Sequence, residues 1–124
     1  MTDSQTVIDE LRIPTRELRS AIPEEWKGFS DLHQATMRDG ALSGRVKELM
    51  ALAIAVADGC DGCIAYHAKG AARRGASEPE AAEALGVALL MAGGPASVYG
   101  PRALAAFKEF AAAAVAAAEV AAAS

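Results

Sequence analysis

Residues 44–67 read GRVKELMALAIAVADGCDGCIAYH, and the expected architecture follows from this segment. Its first part is apolar on nearly every side, which is typical of a buried helix, here predicted over Gly44–Asp58. Ser43 is a suitable N-cap for that helix, and Gly59 suits the left-handed residue that ends one. A second helix, predicted over residues 60–74, would then fold back on the first and form a helical hairpin.

The hairpin register brings a buried carboxylate level with an imidazole. Glu48 lies 11 residues before Gly59, and His67 lies 8 residues after it. At about 1.5 Å per residue, the two side chains come level to within roughly 5 Å along the hairpin. A carboxylate in a buried helix is costly unless it has a partner, so we expect Glu48 to face His67 across the hairpin.

The two cysteines of the chain share a predicted helix face with the imidazole. Cys60 and Cys63 are three residues apart, and Cys63 and His67 are four apart, spacings that place side chains on one face. Cys60 lies at the helix start, where free N–H groups and the helix dipole favour a thiolate. His67 can take a proton from Cys63, and Glu48 can orient the imidazole, an arrangement that activates a nucleophile. The spacing also allows a reversible disulfide between the cysteines.

The rest of the chain predicts helices and no strand, because alternating runs rich in Val, Ile and Thr are missing. We treat residues 1–124 as a single domain with its core at about 23–110 and peripheral segments at 1–22 and 111–124. The alanine-rich tail is either a solvated helix end or a contact with a second copy of the chain. The predicted elements are a short helix near residues 8–11, helices over 23–38 and from Ser77 to about 91, a break at 93–95, and a last helix from about 102.

Composition and charge exclude several classes of function. A net charge of −4 without a basic stripe argues against nucleic-acid binding. The longest apolar stretches, residues 50–57 and 111–120, fall short of the roughly 20 residues that a membrane helix needs. The first ten residues are polar and acidic, unlike a signal peptide, so a cytoplasmic location is expected. A lone CxxC in a reducing compartment indicates redox chemistry or metal binding.

The spacing of the four reactive residues is similar to a known signature. Glu48, Cys60, Cys63 and His67 form the pattern E-x11-C-x2-C-x3-H, which resembles that of AhpD-like alkylhydroperoxidases in the carboxymuconolactone decarboxylase superfamily. The resemblance extends over residues 29–110 and includes DLHQATMRDGAL and EALGVALLMAGGPASVYG. It implies an all-α fold, homo-oligomers that are often trimers or hexamers, and peroxide reduction by the cysteine pair.

The same resemblance implies a division of labour. Cys63 would attack the peroxide, Cys60 would resolve the sulfenic acid, and Glu48 with His67 would relay protons. No bound cofactor is implied; the reductant would be an external dithiol, which in relatives is sometimes a lipoyl-bearing protein. Well-studied members carry a histidine just before the second cysteine, where this chain has Gly62, so its relay is expected to be shorter.

Other interpretations of these residues stay open from the sequence. The cysteines, His67 and Glu48 could hold zinc, or the thiols could be structural; redox chemistry is the interpretation that we favour, with no metal. The CxxC could instead serve a redox sensor or a disulfide-exchange partner, and superfamily analogy allows a lyase or isomerase acting on a small acid. We expect Cys63 to be the buried thiol and Cys60 the exposed one. Tyr66 and His33 are candidates for substrate or second-shell contacts, against simpler roles at an interface or on the surface.

Overall fold

The described part of the chain is built from helices. A computed structural model describes residues 3–124, and over this range it contains six α-helices and no strand, which confirms the predicted all-α class. No helix in that range combines the length and the apolar character that crossing a bilayer requires. In chain order the helices are α1 (Ser4–Ala21), α2 (Pro23–Met37), α3 (Gly44–Asp58), α4 (Asp61–Arg73), α5 (Glu78–Ala92) and α6 (Gly94–Ala123).

The core lies among α3, α4, α5 and α6, and small side chains dominate it. Leu52, Val56 and Phe107 are the largest side chains that are almost completely buried. Alanines fill most of the remaining core positions, with Ala68 on α4 and Ala103 on α6 fully buried. Because alanine adds little beyond the backbone, the helices can approach closely, and α4 packs against both α3 and α6.

The predicted hairpin of α3 and α4 is present with its expected ends. Ser43 caps α3, its Oγ accepting a hydrogen bond from the Val46 N–H at 3.2 Å. Gly59 ends α3 in the left-handed region at φ 65°, a conformation that suits glycine. Helix α4 begins at Asp61, one residue later than expected, because Cys60 has extended backbone angles and serves as the N-cap.

Helix α1 is longer than the sequence indicates. We expected a short helix that stops before Pro14, whereas α1 runs through Pro14 for 18 residues. Its start is held by α6, since the Glu109 carboxylate accepts hydrogen bonds from the backbone N–H groups of Ser4 and Gln5 at 2.9 and 3.0 Å. Ile8 is buried in the core. These tertiary contacts offset the hydrogen bond that an internal proline removes.

Helix α6 also begins earlier than expected. The break predicted at residues 93–95 is real, and Gly93 adopts φ 66° there. However, a helix resumes at once from Gly94, with Pro95 in its first turn, rather than near Arg102. Proline is favourable in a first turn because its missing N–H would have no partner there. The same helix contains Pro101 in its interior and continues through the alanine-rich tail.

Candidate functional site

The centre of the site is a buried carboxylate bonded to an imidazole. Glu48 on α3 is 5% exposed, and its Oε2 lies 2.8 Å from Nδ1 of His67 on α4. The hairpin thus brings these two residues into contact, as its register predicts. An ionised carboxylate can only accept, so Nδ1–H donates and the imidazole keeps Nε2 free to exchange a proton.

Gly70 makes room for this carboxylate, a role that sequence analysis missed. A Cβ atom built on Gly70 would lie 2.6 Å from both Cδ and Oε2 of Glu48, closer than real contacts allow. The glycine therefore lets α4 approach the carboxylate that orients His67. The sequence did contain a signal for this role, namely a glycine inside a predicted helix. Such a glycine costs about 1 kcal/mol relative to alanine, so its presence needs a physical reason.

The cysteines are joined, and their exposure is the reverse of our expectation. Cys60 and Cys63 form a disulfide with their Cα atoms 5.2 Å apart. Cys63 is exposed and Cys60 is half-buried, so the expectation of a buried Cys63 is wrong. The reason is local: Cys60 is the N-cap, and its Sγ folds over the first turn, where it accepts a hydrogen bond from the Cys63 N–H at 3.2 Å. Cys63, in contrast, is the third residue of α4, and its side chain is exposed there.

A second histidine lies beside His67. The rings of His33 on α2 and His67 are nearly parallel, with centroids 6.2 Å apart and an interplanar angle of 24°. His33 is exposed to solvent, and Tyr66 is 45% exposed. Both line a cavity next to His67. Tyr66 and His33, the two residues expected from the sequence to contact a substrate or to support the site residues, therefore lie beside the site.

The position of Gly62 is covered by α1. A Cβ atom on Gly62 would lie 3.2 Å from Cδ1 of Leu11, which is tighter than most real contacts. A larger side chain at this position would displace the Leu11 side chain. The space beside the second cysteine that a histidine could take is thus occupied by an apolar residue of the N-terminal helix.

Both cysteine sulfurs are bonded in the Cys60–Cys63 disulfide in this form of the protein. As disulfide sulfurs they are not the thiolates that bind zinc. Within residues 3–124, no cluster of three or more His, Cys, Asp or Glu side chains is arranged to hold a metal ion. The chemistry that the geometry supports directly is thiol–disulfide exchange next to a carboxylate-oriented imidazole.

Comparison with known proteins identifies the family of this site. The fold is all-helical with a CxxC in its central hairpin, and the model of the carboxymuconolactone decarboxylase family matches residues 23–123. The chain belongs to that family.

Relatives and solved structures agree with this assignment. An uncharacterised protein of Cupriavidus necator is 38% identical over 106 residues, covering 86% of this chain and 94% of its own length. The crystal structure of an apo carboxymuconolactone decarboxylase family protein from Legionella pneumophila superposes with a TM-score of 0.84 at 40% identity, covering 87% of this chain and 96% of that one. A Thermotoga maritima family member, for which a part in an antioxidative response has been suggested, superposes with a TM-score of 0.73 at 34% identity, covering 84% and 88%.

Proposed function

We propose that this protein is a thiol-dependent peroxidase of the AhpD-like type, which reduces peroxides through Cys60 and Cys63. The observation that carries the proposal is the 2.8 Å contact between Glu48 and His67 one helical turn from the cysteine pair. A buried carboxylate that orients an imidazole beside a thiol has a specific use in activating that thiol. The antioxidative role suggested for the Thermotoga maritima relative supports the same chemistry.

Peroxide attack in this proposal begins at Cys63, the more exposed thiol. Nε2 of His67 takes the Cys63 proton, and Glu48 stabilises the imidazolium that results. The thiolate attacks one peroxide oxygen, the O–O bond breaks, and Cys63 becomes a sulfenic acid. The leaving alkoxide receives the proton back from His67 and departs as an alcohol, so the step is balanced without any other reactant.

Resolution and reduction follow from the placement of Cys60. The Cys60 thiolate attacks the Cys63 sulfur, and the hydroxyl group leaves as water with the Cys60 proton. An external dithiol then attacks the disulfide at its exposed sulfur, that of Cys63. Cys60 leaves as a thiolate at the N-terminus of α4, where the Cys63 N–H already bonds its sulfur and the helix dipole favours a negative charge. The second thiol of the donor then displaces Cys63 from the mixed disulfide, so the donor leaves as a disulfide and both cysteines are reduced.

The reductant in this proposal is a dithiol carried by another molecule, such as a lipoyl-bearing protein, and the protein needs no bound cofactor of its own.

The exposed Cys63 sulfur also favours a second function, in which the protein exchanges disulfides with a partner or senses redox state without rapid turnover. The rate of peroxide consumption separates the two functions, because only a peroxidase consumes peroxide catalytically.

The test is a stopped-flow assay of the reduced protein with tert-butyl hydroperoxide and a panel of dithiols, including dihydrolipoamide. We expect catalytic consumption, one intramolecular disulfide by intact mass, and a sulfenic acid trapped at Cys63 in Cys60→Ser. Cys63→Ser should form no sulfenic acid. Two thiols that persist under excess peroxide would refute the peroxidase, and labelling of Cys60 in Cys63→Ser at the wild-type rate would reverse the assignment.

A further inference from the structure

A cavity of about 580 Å³ lies next to His67, between α4 and the two N-terminal helices. Hydrogen peroxide needs little more space than a water molecule, whose share of liquid volume is about 30 Å³. The cavity instead falls within the range of small-molecule sites, roughly 300–1,000 Å³. Its size favours a ligand with a substantial organic body.

The walls of the cavity are aromatic and largely apolar. The lining includes Trp26 and Phe29 of α2, Tyr66 of α4 and Ile8 of α1. Phe29 is 63% exposed, and the only buried residue of α2 is Met37. Because Phe29 is exposed and Trp26 is only half-buried, an apolar ligand in the cavity would bury surface that the chain itself does not.

The charges around the cavity are positive. Lys69 and Arg73 line it, and within residues 3–124 neither forms an ion pair. The Lys69 ammonium donates to the neutral Gln5 amide at 3.0 Å. Among the described lining residues Glu48 is the one carboxylate, and His67 already binds it. An anionic ligand group would therefore meet two cations and no competing free carboxylate.

The cavity and the cysteine pair follow one another along α4. Cys63 lies one turn before the cavity residues Tyr66 and His67, and Arg73 lies ten residues after Cys63, which is about 15 Å along a helix. The Arg73 side chain leans back toward the helix start, so its guanidinium shortens that distance. One extended molecule can span the interval between the sulfur and the guanidinium.

We infer that the cavity binds an amphipathic organic acid, so that the preferred peroxide is a hydroperoxide with an apolar chain and a terminal carboxylate. The carboxylate binds Arg73 and Lys69, the chain lies against Trp26, Phe29 and Tyr66, and the peroxide group reaches Cys63. This inference rests on the proposed peroxidase function for the reaction, but the binding of the acid can be measured without it.

The binding experiment uses the single tryptophan of the chain, which lines the cavity. Decanoate and decanol are titrated into the full-length protein while Trp26 fluorescence is followed. A charge-assisted contact predicts that decanoate binds roughly tenfold to a hundredfold more tightly than decanol. Arg73→Gln should reduce this preference, and Arg73→Gln with Lys69→Gln should remove it.

The matched control is Arg74→Gln, which removes the same charge one residue further along. Arg74 does not line the cavity, and its guanidinium lies against Gly44 of α3, so this variant should keep the preference for decanoate. An unchanged fluorescence signal with decanoate, equal affinities for decanoate and decanol, or a preference that survives loss of both cations would overturn the inference.

The kinetic experiment compares ω-hydroperoxydecanoic acid with its methyl ester. The acid should react faster than the ester by a factor similar to the preference for decanoate over decanol. In Arg73→Gln the ratio of the two rates should fall toward one. The rate with the ester shows whether the variant is correctly folded. Wild-type protein that reduces tert-butyl hydroperoxide without favouring the acid over the ester would refute this inference alone. Failure to reduce any hydroperoxide would refute the proposed function, while the decanoate titration would still decide the cavity.

Discussion

The contact between Glu48 and His67 could be predicted because it depends on a single short turn. Once Gly59 ends α3, the number of residues on each side fixes which side chains meet. The exposure of Cys63 could not be predicted in this way, since it depends on how the Cys60 side chain folds over the first turn of α4. The space that Gly70 leaves for the carboxylate depends on the distance between two helices, which sequence spacing does not contain.

The first prediction concerns the buried pair. Glu48→Gln keeps the shape of the side chain but removes the charge that stabilises the imidazolium, and His67→Ala removes the base. Each should slow sulfenic acid formation at Cys63 by roughly 10²–10⁴-fold. The double variant should be no slower than the slower single variant, because the two residues act as a unit.

Stopped-flow peroxide consumption measures these rates, with Glu83→Gln on the surface of α5 as the control that should react normally. A Glu48→Gln protein that is merely less stable, with unchanged thiol reactivity, would show that Glu48 is structural and that the relay is wrong.

The second prediction concerns the glycine beside the carboxylate. In Gly70→Ala the new methyl group would lie 2.6 Å from Glu48 Oε2, so the carboxylate must shift, which disturbs its contact with His67. We expect a loss of about 1–3 kcal/mol in unfolding free energy from this overpacking, together with slower peroxide attack.

Gly86→Ala is the matched control for that substitution, because Gly86 lies inside α5 with nothing within 4 Å of a Cβ. There the same change should stabilise the helix by about 0.5–1 kcal/mol. Urea denaturation of both variants gives the comparison, and a Gly70→Ala protein as stable and as reactive as wild type would contradict the tight approach.

At the scale of elements, local signals predicted helix ends well, and long-range contacts changed helix lengths. The caps at Ser43 and Ser77 and the turn at Gly59 lie where the sequence places them, since each depends on neighbours within a few residues. The start of α1 is held instead by Glu109, more than 100 residues away, and Ile8 of the same helix is buried in the core. The helix continues through Pro14, so this proline was a misleading stop signal in a helix that long-range contacts stabilise.

The third prediction concerns the capping box that starts α5. The Ser77 N–H donates to Glu80 Oε1 at 2.9 Å, and this backbone hydrogen bond, with help from Arg45, holds the pKa of Glu80 below the ordinary range of a glutamate. A carboxyl whose pKa is lowered by folding stabilises the protein above its unfolded pKa. That contribution is lost as the pH falls through the lower folded pKa.

The difference in stability between wild type and Glu80→Gln should therefore be present at neutral pH and should vanish in acid. Urea denaturation across the acid range measures it, with Glu83→Gln, a surface change on the same helix, measured in parallel. Ser77→Ala should cost about 1 kcal/mol at neutral pH, the usual value of an N-cap. A difference between wild type and Glu80→Gln that is the same at every pH would contradict the capping role.

At the scale of the whole molecule, the chain leaves many large apolar side chains exposed. Leu90 and Met91 on α5 are 82% and 79% exposed, and Val87, one turn earlier, is 59% exposed. The alanine-rich core explains the pattern, because small core side chains bury little area and leave larger ones outside. The exposed residues of α5 recur at the three- and four-residue spacing of one helix face. We therefore expect this face of α5 to be a site of association.

The last prediction is that the protein is a homo-oligomer, a trimer or hexamer by its resemblance to AhpD-like proteins, and that this face of α5 takes part. Burying one leucine stabilises an interface by about 1.5–3 kcal/mol, and a charge in its place must be desolvated as well. Leu90→Glu should therefore dissociate the assembly. Light scattering at micromolar concentration should give a multiple of 12.7 kDa for wild type and a smaller species for Leu90→Glu. Val120→Glu, in the exposed tail of α6, is the matched variant. Dissociation by Val120→Glu but not by Leu90→Glu would place the contact in the tail instead of on α5. A monomeric wild-type protein would contradict the predicted homo-oligomer.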